Sequence, residues 1–203
     1  MIQVENNATN VKVRTEDTEN GTRVIIEPME EQIELSEIKL GEKFKVGEYV
    51  FKAIKGGYIL DGFLEDAKDY KFGNDNDYTN SDIRKMLNST FYDKLAKIVG
   101  EENILKHDVD LTSMDGLKEY GTCRDNVSLL TEKMYKDNRE YLKNMGAWWW
   151  LATPYSTKSN DYSSDVCCVR VGGTLGYGYC GGERTVRPFI IFASTIFVSK
   201  ING

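Results

Sequence analysis

The chain has 203 residues, 40% of them hydrophobic and 29% charged, and its 26 basic against 32 acidic side chains leave a formal charge of −6. That is the composition of a globular protein, long enough to bury a real core as one domain with an appendage. No basic cluster interrupts the acidic balance, so a nucleic-acid partner is not expected, and no apolar run approaches the ~20 residues of a membrane span.

Met1 to Asn7 offers neither a basic start nor an apolar run, so no signal peptide is read and synthesis in the cytosol is expected. Val11–Thr15 and Arg23–Glu27 alternate apolar and polar residues around Asn20-Gly21, a hairpin signal, although the connection from Glu16 to Thr22 is longer than a two-residue turn. The pair carries few large apolar residues, and an isolated two-stranded hairpin is marginal in water, so this arm (residues 1–35) needs something to pack on. A polar, acidic stretch, Glu30 to Glu37, joins it to the main domain, residues 36–203.

Within that domain Phe44–Val46, Tyr49–Ile54 and Tyr58–Leu60 read as three short strands separated by glycine turns. A helix is expected from Asn80 or Ser81, which cap well, with Ile83, Met86, Leu87, Phe91, Leu95 and Ile98 on one stripe and Gly100 as its stop. Asn88, Ser89 and Thr90 lower helix propensity midway and predict a bend or break there. A shorter helix is expected after Thr131. The remainder reads as strands over Trp148–Ala152, Val166–Val171 and Arg184–Val198, the last apolar on both faces as a strand covered on both sides would be.

Chemistry-bearing motifs are sparse. Asn74-Asp75-Asn76-Asp77 suggests calcium, but an EF-hand loop starting at Asp75 would place Asn80 and Met86 where glycine and glutamate are required. Four Asn-x-Ser/Thr triplets, at Asn7, Asn20, Asn88 and Asn126, are chance matches without a leader. The four cysteines lack Cys-x-x-Cys spacing and read as buried free thiols, with Cys167 and Cys168 on opposite faces of a strand. His107, the only histidine, lies in a polar segment read as a surface turn. No hydrolase elbow, zinc-protease helix or phosphate loop occurs, and Gly172–Gly176 leads into a tyrosine-rich hairpin rather than a helix. No catalysis, metal or cofactor is expected. The glycine-rich segment Gly172–Glu183 carries Tyr177 and Tyr179, and tyrosines on such loops offer large contact area at low entropic cost. The expected ligand-binding residues are Tyr155, Tyr177, Tyr179, Glu183 and Arg184.

An ordered set of motifs carries a resemblance. It runs through Gly47-Glu48-Tyr49-Val50-Phe51, the helix Ser81-Asp82-Ile83-Arg84-Lys85-Met86-Leu87-Asn88-Ser89-Thr90-Phe91-Tyr92 and Ser128-Leu129-Leu130-Thr131. It closes on Trp149-Trp150-Leu151-Ala152-Thr153-Pro154 and Val186-Arg187-Pro188. From about Ile38 to Val198 the chain resembles a domain common in Gram-positive gut bacteria and their phages, with a layout similar to C-type lectin-like folds, including phage variable ligand-binding proteins. The resemblance implies an α+β, C-type lectin-like domain with a twisted antiparallel sheet and two helices, preceded by an N-terminal β-hairpin arm. No Glu-Pro-Asn or Trp-Asn-Asp calcium motif is present, and the copper-binding cysteine pair of formylglycine-generating relatives has no clear counterpart. The expected function is a non-enzymatic phage virion component (tail, fibre or capsid decoration), present in several copies or as a homo-oligomer. Its arm would dock to other virion proteins and its surface would bind a host glycan or protein. The alternatives are an intracellular bacterial enzyme or regulatory domain of the same fold, or a scaffold element without a ligand.

Overall fold

In a computed structural model that describes residues 11–19, 21–28 and 31–201, the chain is α+β and every strand ladder is antiparallel. The first ten residues, on which the expected lack of a signal peptide rests, and Asn20 lie outside the described residues. β1 (Val11–Thr18) and β2 (Gly21–Pro28) pair with each other as far as Thr18 opposite Gly21, so the ladder takes in most of the Glu16–Thr22 stretch that spacing assigned to the connection. Val13 and Ile26 face each other across the ladder, Thr15 faces Val24, and all three apolar side chains are exposed.

β3 (Gln32–Glu34) already belongs to the main sheet, where it pairs with the last strand, and Leu35 is buried in the core behind it. The expected division at residues 35 and 36 therefore falls just after the chain has entered the sheet. β4 (Lys43–Val46), β5 (Tyr49–Ile54) and β6 (Gly57–Leu60) form the expected meander, each joined to the next by a two-residue turn. β7 (Tyr70–Lys71) follows a single 3-10 turn at Glu65–Ala67.

Ser81 caps the helix as expected, its Oγ accepting from the Arg84 N–H at 3.1 Å. The helix runs as α1 (Asp82–Met86), a π-helical turn (Leu87–Phe91) and α2 (Tyr92–Val99), and Gly100, at φ +86°, ends it. The wide turn sits where low propensity predicted a bend, and its cause is Asn88. The Asn88 amide accepts from Asn126 N–H (3.0 Å) and Val127 N–H (3.2 Å) and donates to the Val127 carbonyl (2.8 Å), pinning the helix to the neighbouring chain.

β8 (Ile104–Leu105), β9 (His107–Asp110), β10 (Thr122–Asp125) and β11 (Val127–Ser128) lead to α3 (Glu132–Asp137), which Thr131 caps through the Met134 N–H. β12 (Trp149–Pro154), β13 (Asp165–Val169) and β14 (Leu175–Tyr179) form a three-stranded sheet. The segment expected as one long strand from Arg184 to Val198 is instead three: β15 (Glu183–Arg184), β16 (Phe189–Phe192) and β17 (Phe197–Ile201). Pro188 has no N–H to give a ladder and its carbonyl accepts from Leu60, while a turn closed by Ile196 N–H on Ala193 separates the last two. The main sheet has the order β11-β16-β6-β5-β4-β17-β3, with β8 also on β16.

Two apolar clusters form the core. One joins Phe44, Phe51 and Leu60 to Ile83, Leu87, Phe91 and Leu95 of the helix, and the other joins Ile54, Ile59 and Phe189 to Tyr135, Leu142 and Leu151. Trp150 and Cys168 enter the first, Trp149 and Cys167 the second, so strand alternation splits each adjacent pair between them. Trp149 and Trp150 are fully buried, whereas Trp148 stays half-buried.

Candidate functional site

The sequence Leu-Gly-Tyr-Gly-Tyr of β14 alternates, and a strand sends alternate residues to opposite faces. Leu175, Tyr177 and Tyr179 therefore share one face, where they stand opposite Val169, Cys167 and Asp165 of β13. Tyr177 is 49% exposed and its ring lies 4.4 Å from that of Tyr155, which in turn lies 5.4 Å from Tyr162. These three rings make a continuous aromatic shelf. Tyr179, 62% exposed, extends the same strand face.

The rim of the shelf is polar. A cavity of about 410 Å³ beside it is lined by Met114, Asp115, Tyr155, Ser156, Asn160 and Tyr162. Asp115 accepts from the Ser113 hydroxyl and from the Ser156 hydroxyl at 2.6 Å, and these donors hold its carboxyl below the usual carboxylate range, so it is an ionised acceptor at neutral pH. The Tyr162 hydroxyl donates to Asp165 at 2.6 Å, and that carboxylate pushes the phenol up to about 12.

What holds this surface is the loop that sequence reading set aside as a failed calcium motif. Asn76 is fully buried; its amide donates to the carbonyls of Ser156 and Asp165, both at 2.9 Å, and accepts from the Tyr120 hydroxyl at 2.8 Å. It ties together both ends of the segment bearing Tyr155 and Tyr162. Lys158 bridges to Asp75 at 2.9 Å, and Glu119 accepts the Ser159 N–H at 2.9 Å. The sequence signal was an Asn-Asp run ahead of a capped helix; its long-range partners could not be read from spacing.

The opposite face of β14 is bare at Gly176 and Gly178, and arginines fill the space. A side-chain carbon at Gly176 would come within 2.5 Å of the Arg170 guanidinium, so any larger residue would displace that arginine. Arg170 and Arg184 both lie against Trp148, at 5.3 and 5.1 Å from its ring centre. Of the expected site residues, then, Tyr155, Tyr177 and Tyr179 share a surface. Glu183 and Arg184 sit beyond a turn, on β15 paired with β7, and Arg184 reaches the other face of the strand. Tyr162, Asp115, Asn160 and Ser156 join the surface without having been singled out.

The cysteines and the histidine do not form part of this surface. All four cysteines are free and buried, and burial pushes the Cys123 thiol up to about 12 and Cys168 to about 11, far from a thiolate at neutral pH. His107 lies on β9 and not in a surface turn: its ring packs edge-on to Phe189 at 5.1 Å and its Nε2 is 2.8 Å from the Ser128 hydroxyl. The serine–histidine pairing was not legible in the sequence, and Ser128 is fully enclosed within the core. Arg84 grips the buried Asp125 with Nε and Nη2, at 2.9 and 2.6 Å, joining α1 to β10. Among the described residues no group of three or more His, Cys, Asp or Glu side chains is placed to hold a metal, and no helix is long and apolar enough to cross a membrane.

Residues 54–194 match the family model described as Domain of unknown function (DUF6273), which spans more than half of the chain, and the protein belongs to that family. No curated protein and no solved structure matches the chain.

Proposed function

We propose that this member of the DUF6273 family is a non-enzymatic binding module whose tyrosine shelf, Tyr155, Tyr162 and Tyr177, contacts a carbohydrate. The observation that carries the reading is the three-ring shelf, Tyr162 and Tyr177 exposed and Tyr155 half-buried between them, with an ionised acceptor, Asp115, and the Asn160 amide at its rim. A sugar presents an apolar C–H face that stacks on aromatic rings and a fringe of hydroxyls that need donors and acceptors. The shelf offers both, and ring stacking loses little side-chain entropy. The Asn76 clamp supplies pre-organisation, which lowers the cost of binding.

The finer architecture we propose is C-type lectin-like. Its support is the motif order, two helical segments beside antiparallel sheets, and a surface built between the tryptophan strand and the closing strands. We further place the protein in a phage virion, in several copies, with the β1–β2 hairpin as its docking arm. A hairpin whose strands pair only with each other and whose Val13, Val24 and Ile26 are exposed suits attachment to a neighbour. The rival, an enzyme or regulatory domain, would use the cavity of about 540 Å³ between β5, the loop from Asp61 to Ala67 and the π-turn, which has Tyr49, Phe63 and Phe91 in its walls.

A printed array of bacterial surface glycans probed with labelled protein tests the binding reading. Retention on a subset of glycans, lost in Tyr155→Ala and Tyr177→Ala, is the expected result. Silence across the array, or retention unchanged by both substitutions, rejects it. Antibody labelling of purified particles tests the virion assignment separately.

A further inference from the structure

A second site, unrelated to the tyrosine shelf, emerges from the charges around Asp61. Lys43 and Lys52 are direct cross-strand partners on β4 and β5, an arrangement that repels unless something neutralises it. Their Nζ atoms lie 2.6 and 3.9 Å from the Asp61 carboxylate, and Lys143 and Arg187 approach it to 3.7 and 3.8 Å. Four cations converge on one carboxylate, an excess of three positive charges.

The inner end of the cluster is closed to solvent and under-satisfied. The Arg187 side chain is 0% exposed and that of Asp61 4%. Arg187 gives its Nε–H to the Leu60 carbonyl at 2.7 Å and packs on Trp149, yet neither Nη1 nor Nη2 has a hydrogen-bond partner, and Asp61 Oδ1 accepts from none. The nearest approach to that oxygen, 3.8 Å from Arg187, is close to 1 Å longer than a charge-assisted bond. Burial lowers the Lys52 ammonium, with Lys43, Arg187 and Lys143 adding to the effect against Asp61, and burial brings Arg187 down to about 10. A buried guanidinium with idle donors costs free energy that a planar or tetrahedral oxyanion recovers by taking the fork in two hydrogen bonds. The outer end is open, since Lys143 is 54% exposed and Lys43 is 36% exposed.

We propose that this cluster is an oxyanion-binding site, in which a phosphate- or sulfate-like ion enters past Lys43 and Lys143, lies beside Asp61 and bridges Lys52 and Lys143 to the Arg187 fork. The bound ion neutralises the surplus charge between the β4–β5 hairpin, the segment after α3 and the Arg187-Pro188 segment, and so ties together three parts of the chain that are distant in sequence.

The test is titration of the intact chain with inorganic phosphate and with sodium sulfate, against sodium chloride at the same ionic strength, read by calorimetry and by thermal unfolding. Saturable one-site binding and a Tm rise of several degrees beyond chloride are expected. Lys143→Ala, at an exposed position that should not disturb folding, should weaken binding about tenfold, and Asp61→Asn, which removes the competing carboxylate, should tighten it. Phosphate and sulfate raising Tm no further than chloride, or Lys143→Ala binding as tightly as the parent protein, would overturn the proposal.

Discussion

Replacing Asn76 with alanine should loosen the tyrosine-bearing loop more than any other single change outside the apolar core. The side chain is fully buried and its amide serves the carbonyls of Ser156 and Asp165 and the hydroxyl of Tyr120. At ~1 kcal/mol net for each of these three bonds, with a further ~1–3 kcal/mol for the buried Ser156 carbonyl left without a donor, the loss comes to ~4–6 kcal/mol. For a chain of this length each kcal/mol moves Tm by ~2–4 °C, so a drop on the order of 10 °C is expected. Thermal unfolding followed by circular dichroism gives the global effect, and amide hydrogen exchange over residues 155–165 gives the local one. A Tm loss below about 2 °C, or unchanged exchange in that segment, would mean that the clamp is not what holds the shelf.

Three further outcomes follow from the same contacts. Tyr177→Ser should cost about 1 kcal/mol through its stacking on Tyr155, and Tyr179→Ser under about 0.5, because its ring is mostly solvated; a large drop for Tyr179→Ser in chemical denaturation would return that ring to the core. Removing residues 1–30 should leave cooperative unfolding near the parent Tm. Removing 1–35 deletes β3 and the buried Leu35 and should cost about 3 kcal/mol or more, and equal stability of the two truncations would refute the placement of β3. Burial holds the His107 imidazole below its ordinary value, so on acidification the unfolded chain takes up a proton near pH ~6.5 while the native ring resists. Stability should therefore fall as pH drops below that point, and His107→Gln should flatten this part of the profile; an identical pH profile in the variant contradicts it.

The parts of the fold legible in the sequence are those decided by local chemistry. The Ser81 and Thr131 caps, the weak Asn88-Ser89-Thr90 stretch, the 43–60 meander and the opposed cysteines each follow from residues close in the chain. What was misread depends on distant partners. Apolar content alone made Arg184–Val198 one strand, whereas Pro188 and the 193–196 turn divide it. His107 looked exposed because its neighbours are polar, but Phe189 and Ser128 come to it from distant segments. The glycine-tyrosine alternation is enough to set Tyr177 and Tyr179 on one exposed strand face. The companions Tyr162 and Asp115, and the placement of Arg184 on the opposite side of β14, depend on strand register and on Asn76, which spacing does not encode.

The central claim is that the shelf of Tyr155, Tyr162 and Tyr177 is the contact surface for a carbohydrate. Its most direct measurement is a binding isotherm with wall polysaccharide purified from a Gram-positive bacterium, comparing the parent chain with the Tyr155→Ala/Tyr177→Ala double variant after both are shown to unfold cooperatively. Loss of two stacking rings should weaken binding at least tenfold, since about 1.4 kcal/mol is a decade in affinity. Saturable binding of equal strength in the two proteins would contradict the account.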